Sequence, residues 1–100
     1  MLFHVKHVHT FETCPAKTGM VSKTFGTIAR PEHAKEVGVK VLGMYADAPA
    51  HITYFILDAD TAEKVGKFLL PILTIGTAEI TPVTDLAEEV RRKVEEAKKI

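Results

Sequence analysis

Hydrophobic and polar positions change period several times along the chain, and each change marks an element. Leu2 to His9 is rich in β-branched and aromatic residues and predicts a strand. "TFETCPAKTG" follows without any period, and Thr10, Thr13, Pro15 and Gly19 predict a turn region. Met20, Val21, Phe25 and Ile28 recur at helical spacing and predict a helix over 20–29. Pro31 interrupts it or opens a short second turn that Gly38 ends. "VKVLGMYA" (39–46) and "HITYFIL" (51–57) are strand-like runs joined by "DAPA", so a hairpin is expected.

"DADTAEKVGKFLL" (58–70) predicts a helix burying Ala62, Val65, Phe68 and Leu69, with Asp60 and Glu63 as a capping box and Pro71 stopping or bending it. "AEITPV" (78–83) predicts an edge strand, because Pro82 cannot donate to a ladder. The final stretch, "DLAEEVRRKVEEAKKI", is amphipathic, with Leu86, Val90, Val94 and Ala97 at helical spacing. Glu88 with Arg92, Glu89 with Lys93 and Glu95 with Lys99 are i,i+4 pairs worth about 0.2–0.5 kcal/mol each.

The order β-α-β-β-α-β plus a terminal helix predicts one α+β domain over residues 1–100, a ferredoxin-like split βαβ arrangement with helices on one sheet face. A free second face would be polar, giving clean alternation in each strand. In the hairpin, Val39, Val41 and Tyr45 are expected to point one way and Leu42, Met44 and Ala46 the other. Ile52, Tyr54 and Ile56 likewise oppose Phe55 and Leu57. Both faces are therefore read as apolar, and a chain of 100 residues has too few helices to cover both. The expected remedy is a second copy packed sheet against sheet, as a homodimer or higher oligomer. The competing reading is that the terminal helix covers the open face.

Composition narrows the function classes. Thirteen basic residues balance thirteen acidic ones, so the basic excess that serves nucleic acid is missing. A single cysteine excludes an internal disulfide. The longest apolar stretch, "FLLPILTIG", is about half of what a spanning helix needs, and "MLFHVKHVH" lacks a signal-peptide core. A soluble, cytoplasmic protein without membrane partners is expected. Asn, Gln and Trp are absent while Lys and Glu are plentiful, which leans towards a thermophilic source. The glycines form no phosphate-binding loop, so no nucleotide and no organic cofactor are expected.

Three segments resemble a known family. "MLFHVK" resembles the opening strand of muconolactone isomerase, while "HITYFILDADTAEKVGKFLLPI" and "AEITPV" are similar to that family's third strand, second helix and last strand. The resemblance implies membership of the dimeric α+β barrel proteins, which include cofactor-free monooxygenases and often use a pocket between sheet and helices. The segment "EVGVKVLGMYADAPA" carries neither Trp nor Arg, where the isomerase family has a Trp- and Arg-rich stretch.

In this topology the first strand lies between the third and fourth. Its end, His7 and His9, is expected beside His51, Glu79, Tyr45, Asp47 and the loop carrying Cys14. Phe3 and Val5 share the strand face of His7 and His9 and would form an apolar floor beneath a polar mouth, a common build for a small-ligand pocket. One chemistry is a histidine general base, assisted by Tyr45 or Glu79, moving a proton next to a carbonyl. A second is a metal held by His7, His9 and His51 with an open fourth position, because His-x-His on a strand puts both rings on one face. A third is Cys14 as a nucleophile or redox centre near a helix start. The opposing structural reading has these histidines capping the barrel and bonding backbone.

The sequence thus predicts a protein that binds a small, partly apolar organic molecule and acts on it by His-mediated proton transfer, as a cofactor-free isomerase or oxygenase. The alternative is a non-catalytic ligand-binding or assembly module.

Overall fold

A computed structural model describes residues 1–99. Strands β1 (Leu2–His9), β2 (Lys40–Asp47), β3 (Ile52–Asp58) and β4 (Gly76–Val83) form one antiparallel sheet in the order β2-β3-β1-β4. Helices α1 (Pro15–Thr18), α2 (Phe25–Ile28), α3 (Pro31–Val37), α4 (Ala62–Leu73) and α5 (Leu86–Lys98) complete an α+β chain whose sheet is consistent with the ferredoxin-like arrangement. None of the helices among the described residues is long and apolar enough to cross a membrane.

The core lies on one sheet face. Phe3 and Val5 of β1 and Phe55 and Leu57 of β3 meet Val65, Phe68, Leu69 and Ile72 of α4, all essentially without solvent exposure. Phe55 and Phe68 pack edge to face at 6.1 Å. Each fully buried side chain of this size contributes roughly 1.5–3 kcal/mol through its transfer from water. The α4 stripe therefore fixes the helix to the sheet far more firmly than any cap. That cap is Thr61, whose hydroxyl accepts the Lys64 amide at 3.3 Å. Asp60, expected to cap, instead pairs with the Lys64 ammonium at 3.3 Å. The helix also runs through Pro71 to Leu73, because the apolar contact of Ile72 outweighs one missing donor.

Two other expectations change. The helix anticipated over 20–29 contracts to Phe25–Ile28. Thr24 turns its hydroxyl back to the Met20 carbonyl at 2.9 Å, and the Gly26 amide reaches Val21 at 2.8 Å, five residues back. Thr24, Gly26 and Thr27 are weak helix formers, so side-chain-to-backbone bonds win locally. In β2 the register slips between Val41 and Gly43. This bulge at Leu42 puts Val41 and Met44 on the same face, opposite Leu57 and Phe55, and sends Tyr45 to the other. The irregular hydrophobic pattern of this strand therefore records a bulge more than two continuous apolar faces.

The outer face is not wholly polar, however. Tyr54, Ile56 and Leu2 lie half-buried there, with Val8 and Tyr45 exposed. Helix α5 leaves its own apolar stripe in solvent, with Leu86, Val90 and Val94 exposed at 68, 49 and 49%. Its start is capped by Asp85 on the Glu88 amide at 3.0 Å, and Glu95 pairs with Lys98 at 3.3 Å, one residue short of the expected Lys99. The helix is locally well made but buries nothing within one chain.

Candidate functional site

His9 closes β1 on the core-facing side, in line with Phe3, Val5 and His7. Its amide donates to the His51 carbonyl at 3.1 Å, extending the β1–β3 ladder by one rung. His51 follows a short 3-10 turn (Ala48–Ala50), in which Asp47 accepts the Ala50 amide at 3.4 Å. It adopts φ 58°, the left-handed region that His tolerates better than most residues. This conformation swings the His51 ring over His9. Nδ1 of His51 lies 3.2 Å from Nε2 of His9, and the rings meet at 73°.

The third member arrives from the β1–α1 loop. Thr10 and Thr13 exchange backbone-to-hydroxyl bonds at 3.0 and 3.2 Å, tightening the turn. Pro15 anchors its far end in the interior. Cys14, between them, is half-buried and brings its sulfur to the histidine pair. One ligand-capable atom from each of His9, Cys14 and His51 lies within 4.8 Å of the other two.

These residues form the polar end of a cavity of about 460 Å³. Its remaining wall is mainly apolar, built from Val21, Phe25, Met44, Ala46 and Ile52 among others. That size and lining suit a small organic ligand. Phe25 stacks near both His9 and His7, with ring centres 6.0 and 5.8 Å away. Phe11 lies edge-on to His51 at 6.4 Å, with the Lys17 ammonium 4.3 Å from its ring centre. Spacing alone offered no way to find Phe25, since it sits on a single helical turn that packs across the sheet end.

The expected site residues separate into three groups. His9 and His51 do come together, and Cys14 joins them. Tyr45 stands at the cavity rim, 66% exposed, with its ring laid beside Gly43, where a Cβ would come within 2.7 Å of Cε2. His7 does not join. Its ring is fully buried, and its Nε2–H donates to the Ile72 carbonyl at 2.7 Å, since a carbonyl only accepts. The set His7, His9 and His51 is therefore corrected, with Cys14 standing where His7 was expected. Phe3 and Val5 belong to the packed core beneath α4 and do not line the cavity. Glu79 is the fourth residue of β4, opposite Lys6, and thus on the outer sheet face away from the imidazoles. Starting that strand at Ala78 and placing Glu79 at its beginning had put the carboxylate at the histidine end of the sheet, whereas the strand begins at Gly76.

Electrostatics instead sets His7 and His9 alike. Burial depresses the pKa of His7, opposed in part by its bond to Ile72. Burial first, then the positive charge that His51 and His7 would carry, lowers the pKa of His9. Both rings are therefore neutral at pH 7. Nδ1 of His7 and Nδ1 of His9 are both enclosed without a hydrogen-bond partner among the described residues. Two imidazoles and a thiol meet at the polar end of a mainly apolar cavity. They can accept a proton, orient a carbonyl or ligate a metal ion. No protein-family model matches the chain, and no curated protein matches it in sequence.

Proposed function

We propose that the protein binds a small, partly apolar organic molecule in the cavity between Phe25 and Met44, and that the His9–His51 pair exchanges a proton with its polar group. The observation that carries this reading is the composition of the cavity: an apolar wall with one polar end, where a neutral imidazole meets a second ring at 3.2 Å. The hydrophobic wall supplies affinity, and the imidazole pair supplies orientation and acid–base capacity near neutral pH. A carbonyl compound with an acidic α-hydrogen is the substrate class that such a base serves, so the reaction type is a proton shift of the isomerase kind.

The test has two parts. A library of small carbonyl compounds would be screened by amide chemical-shift mapping, with shifts expected around Phe25, Ala46 and His51. Binders would then be incubated in D₂O and followed for exchange at the α-carbon. His9→Ala should slow this exchange by about a hundredfold or more, the usual worth of a positioned base. Binding that Ala46→Phe leaves untouched would move the ligand elsewhere, and exchange that His9→Ala leaves untouched would remove the catalytic role.

We further propose a homodimer as the working unit. The outer sheet face leaves Val8 exposed and Tyr54 and Ile56 half-buried, and among the described residues the apolar stripe of α5 is exposed. Apolar side chains left at the surface in this way are what an interface between copies would bury.

A further inference from the structure

We infer that His9, His51 and Cys14 form a binding site for a Zn²⁺-class metal ion whose fourth coordination position opens into the cavity. Two of the three other histidines are bonded to backbone. His7 and His33 each present Nε2 to a backbone carbonyl, Ile72 and Phe68 respectively, at 2.7 Å. Each thus has one ring nitrogen bonded to backbone, although Nδ1 of His7 is enclosed without a hydrogen-bond partner among the described residues. Among the described residues the rings of His9 and His51 hydrogen-bond to no carbonyl or carboxylate, only to each other. Two imidazoles turned nitrogen to nitrogen, with a thiol alongside, leave three soft or borderline donors facing one point.

The spacing fits an ion. Zn–N distances of about 2.0–2.1 Å at a tetrahedral angle put two ligating imidazole nitrogens about 3.3 Å apart, and Zn–S of about 2.3 Å puts nitrogen and sulfur about 3.6 Å apart. The nitrogens of His9 and His51 stand at 3.2 Å, at the long limit of an ordinary N–H···N bond and close to the ligated separation. The full triad falls within 4.8 Å, so the sulfur has at most about 1.2 Å to move to reach the ligated separation. A tetrahedral site would then have three protein ligands, the arrangement of catalytic zinc rather than the closed four-ligand structural type. Imidazole and thiolate together disfavour Mg²⁺ and Ca²⁺, which take oxygen.

Position in the fold adds a further reason. The three ligands come from the end of β1, the turn before β3 and the loop after β1, three segments tied by the His9–His51 backbone bond and the Thr10–Thr13 turn. All three line the cavity, so the free coordination position faces the space where an organic ligand sits. With the ion bound, both imidazoles are ligands and neither exchanges a proton with the organic molecule; the ion's water or a ligand oxygen takes their place at the cavity's polar end, and the proton exchange proposed above belongs to the metal-free protein. The inference rests on the cavity reading only for what fills that fourth position.

The experiment uses Co²⁺ as a spectroscopic probe and Zn²⁺ as competitor on the chelator-treated full chain. Co²⁺ should bind one per chain with the near-ultraviolet thiolate charge-transfer band and the strong visible bands of a tetrahedral ion, and Zn²⁺ should displace it. Cys14→Ser should abolish the charge-transfer band. His51→Asn, which preserves a left-handed-tolerant residue, should weaken Zn²⁺ by more than about a hundredfold. On the unmodified protein, Zn²⁺ should slow alkylation of Cys14 by iodoacetamide at least about tenfold. This last readout needs no variant to fold. Ala46→Phe should keep the metal while rejecting organic ligands, so failure of the cavity reading and failure of the metal site show separately. Absence of the thiolate band, or Zn²⁺ affinity that survives in both Cys14→Ser and His51→Asn, overturns the site.

Discussion

His7 is the residue whose substitution tests the architecture most directly. In His7→Ala the imidazole leaves a position with no solvent exposure. The lost hydrogen bond to Ile72 is worth about 1 kcal/mol net. The Ile72 carbonyl keeps a second donor, the Ile75 amide at 3.3 Å, so it is not stranded. The ring beyond Cβ occupies roughly 65 Å³, and at about 24 cal/mol per Å³ the cavity it leaves costs a further 1.5 kcal/mol or so. The sum is about 2.5 kcal/mol. In a domain of this size 1 kcal/mol moves the melting temperature by about 4–8 °C, so the variant should melt roughly 10–20 °C below the parent. His7→Leu refills the volume and loses mainly the hydrogen bond, so it should fall between the two. The assay is thermal unfolding by far-ultraviolet circular dichroism at pH 8 in the presence of a chelator, with urea unfolding as a second measure. A His7→Ala melt within about 3 °C of the parent would refute the assignment of this ring to the core.

Three other outcomes are expected. Metal-free protein should lose stability on acidification: His7 and His9 have depressed pKa values in the fold, so the unfolded chain binds more protons. Their contribution is complete above the unfolded value of about 6.5 and is lost as pH falls through the folded values, a slope that urea titrations across pH should find shallower in His7→Leu. Gly76→Ala should destabilise by at least about 2 kcal/mol in urea unfolding, because its Cβ would collide with the Val8 carbonyl and touch His7 Cε1 at 3.0 Å. Sedimentation velocity at micromolar concentration should show a dimer that Ile56→Lys weakens at least tenfold, about 1.4 kcal/mol; a stable lone subunit in the parent protein would end the dimer proposal.

The element order was legible because β-branched runs, helical spacing and proline positions act over a few residues, and the α4 stripe at Val65, Phe68, Leu69 and Ile72 packs as its spacing requires. The convergence of His9 and His51 was legible too, since strand order follows from the split βαβ arrangement. Sequence could not set the height or the face of each residue. A bulge at Leu42 turned Tyr45 over, and the pairing of Lys6 with Glu79 carried that carboxylate to the outer face. Side-chain period in a strand is two, so a slip of one residue reverses every assignment beyond it. Nor could spacing separate His7 from His9, which share a strand and a face. Only tertiary packing decided that one ring meets a helix carbonyl while the other meets His51 and Cys14, because that choice depends on where α4 ends and how a four-residue turn is folded.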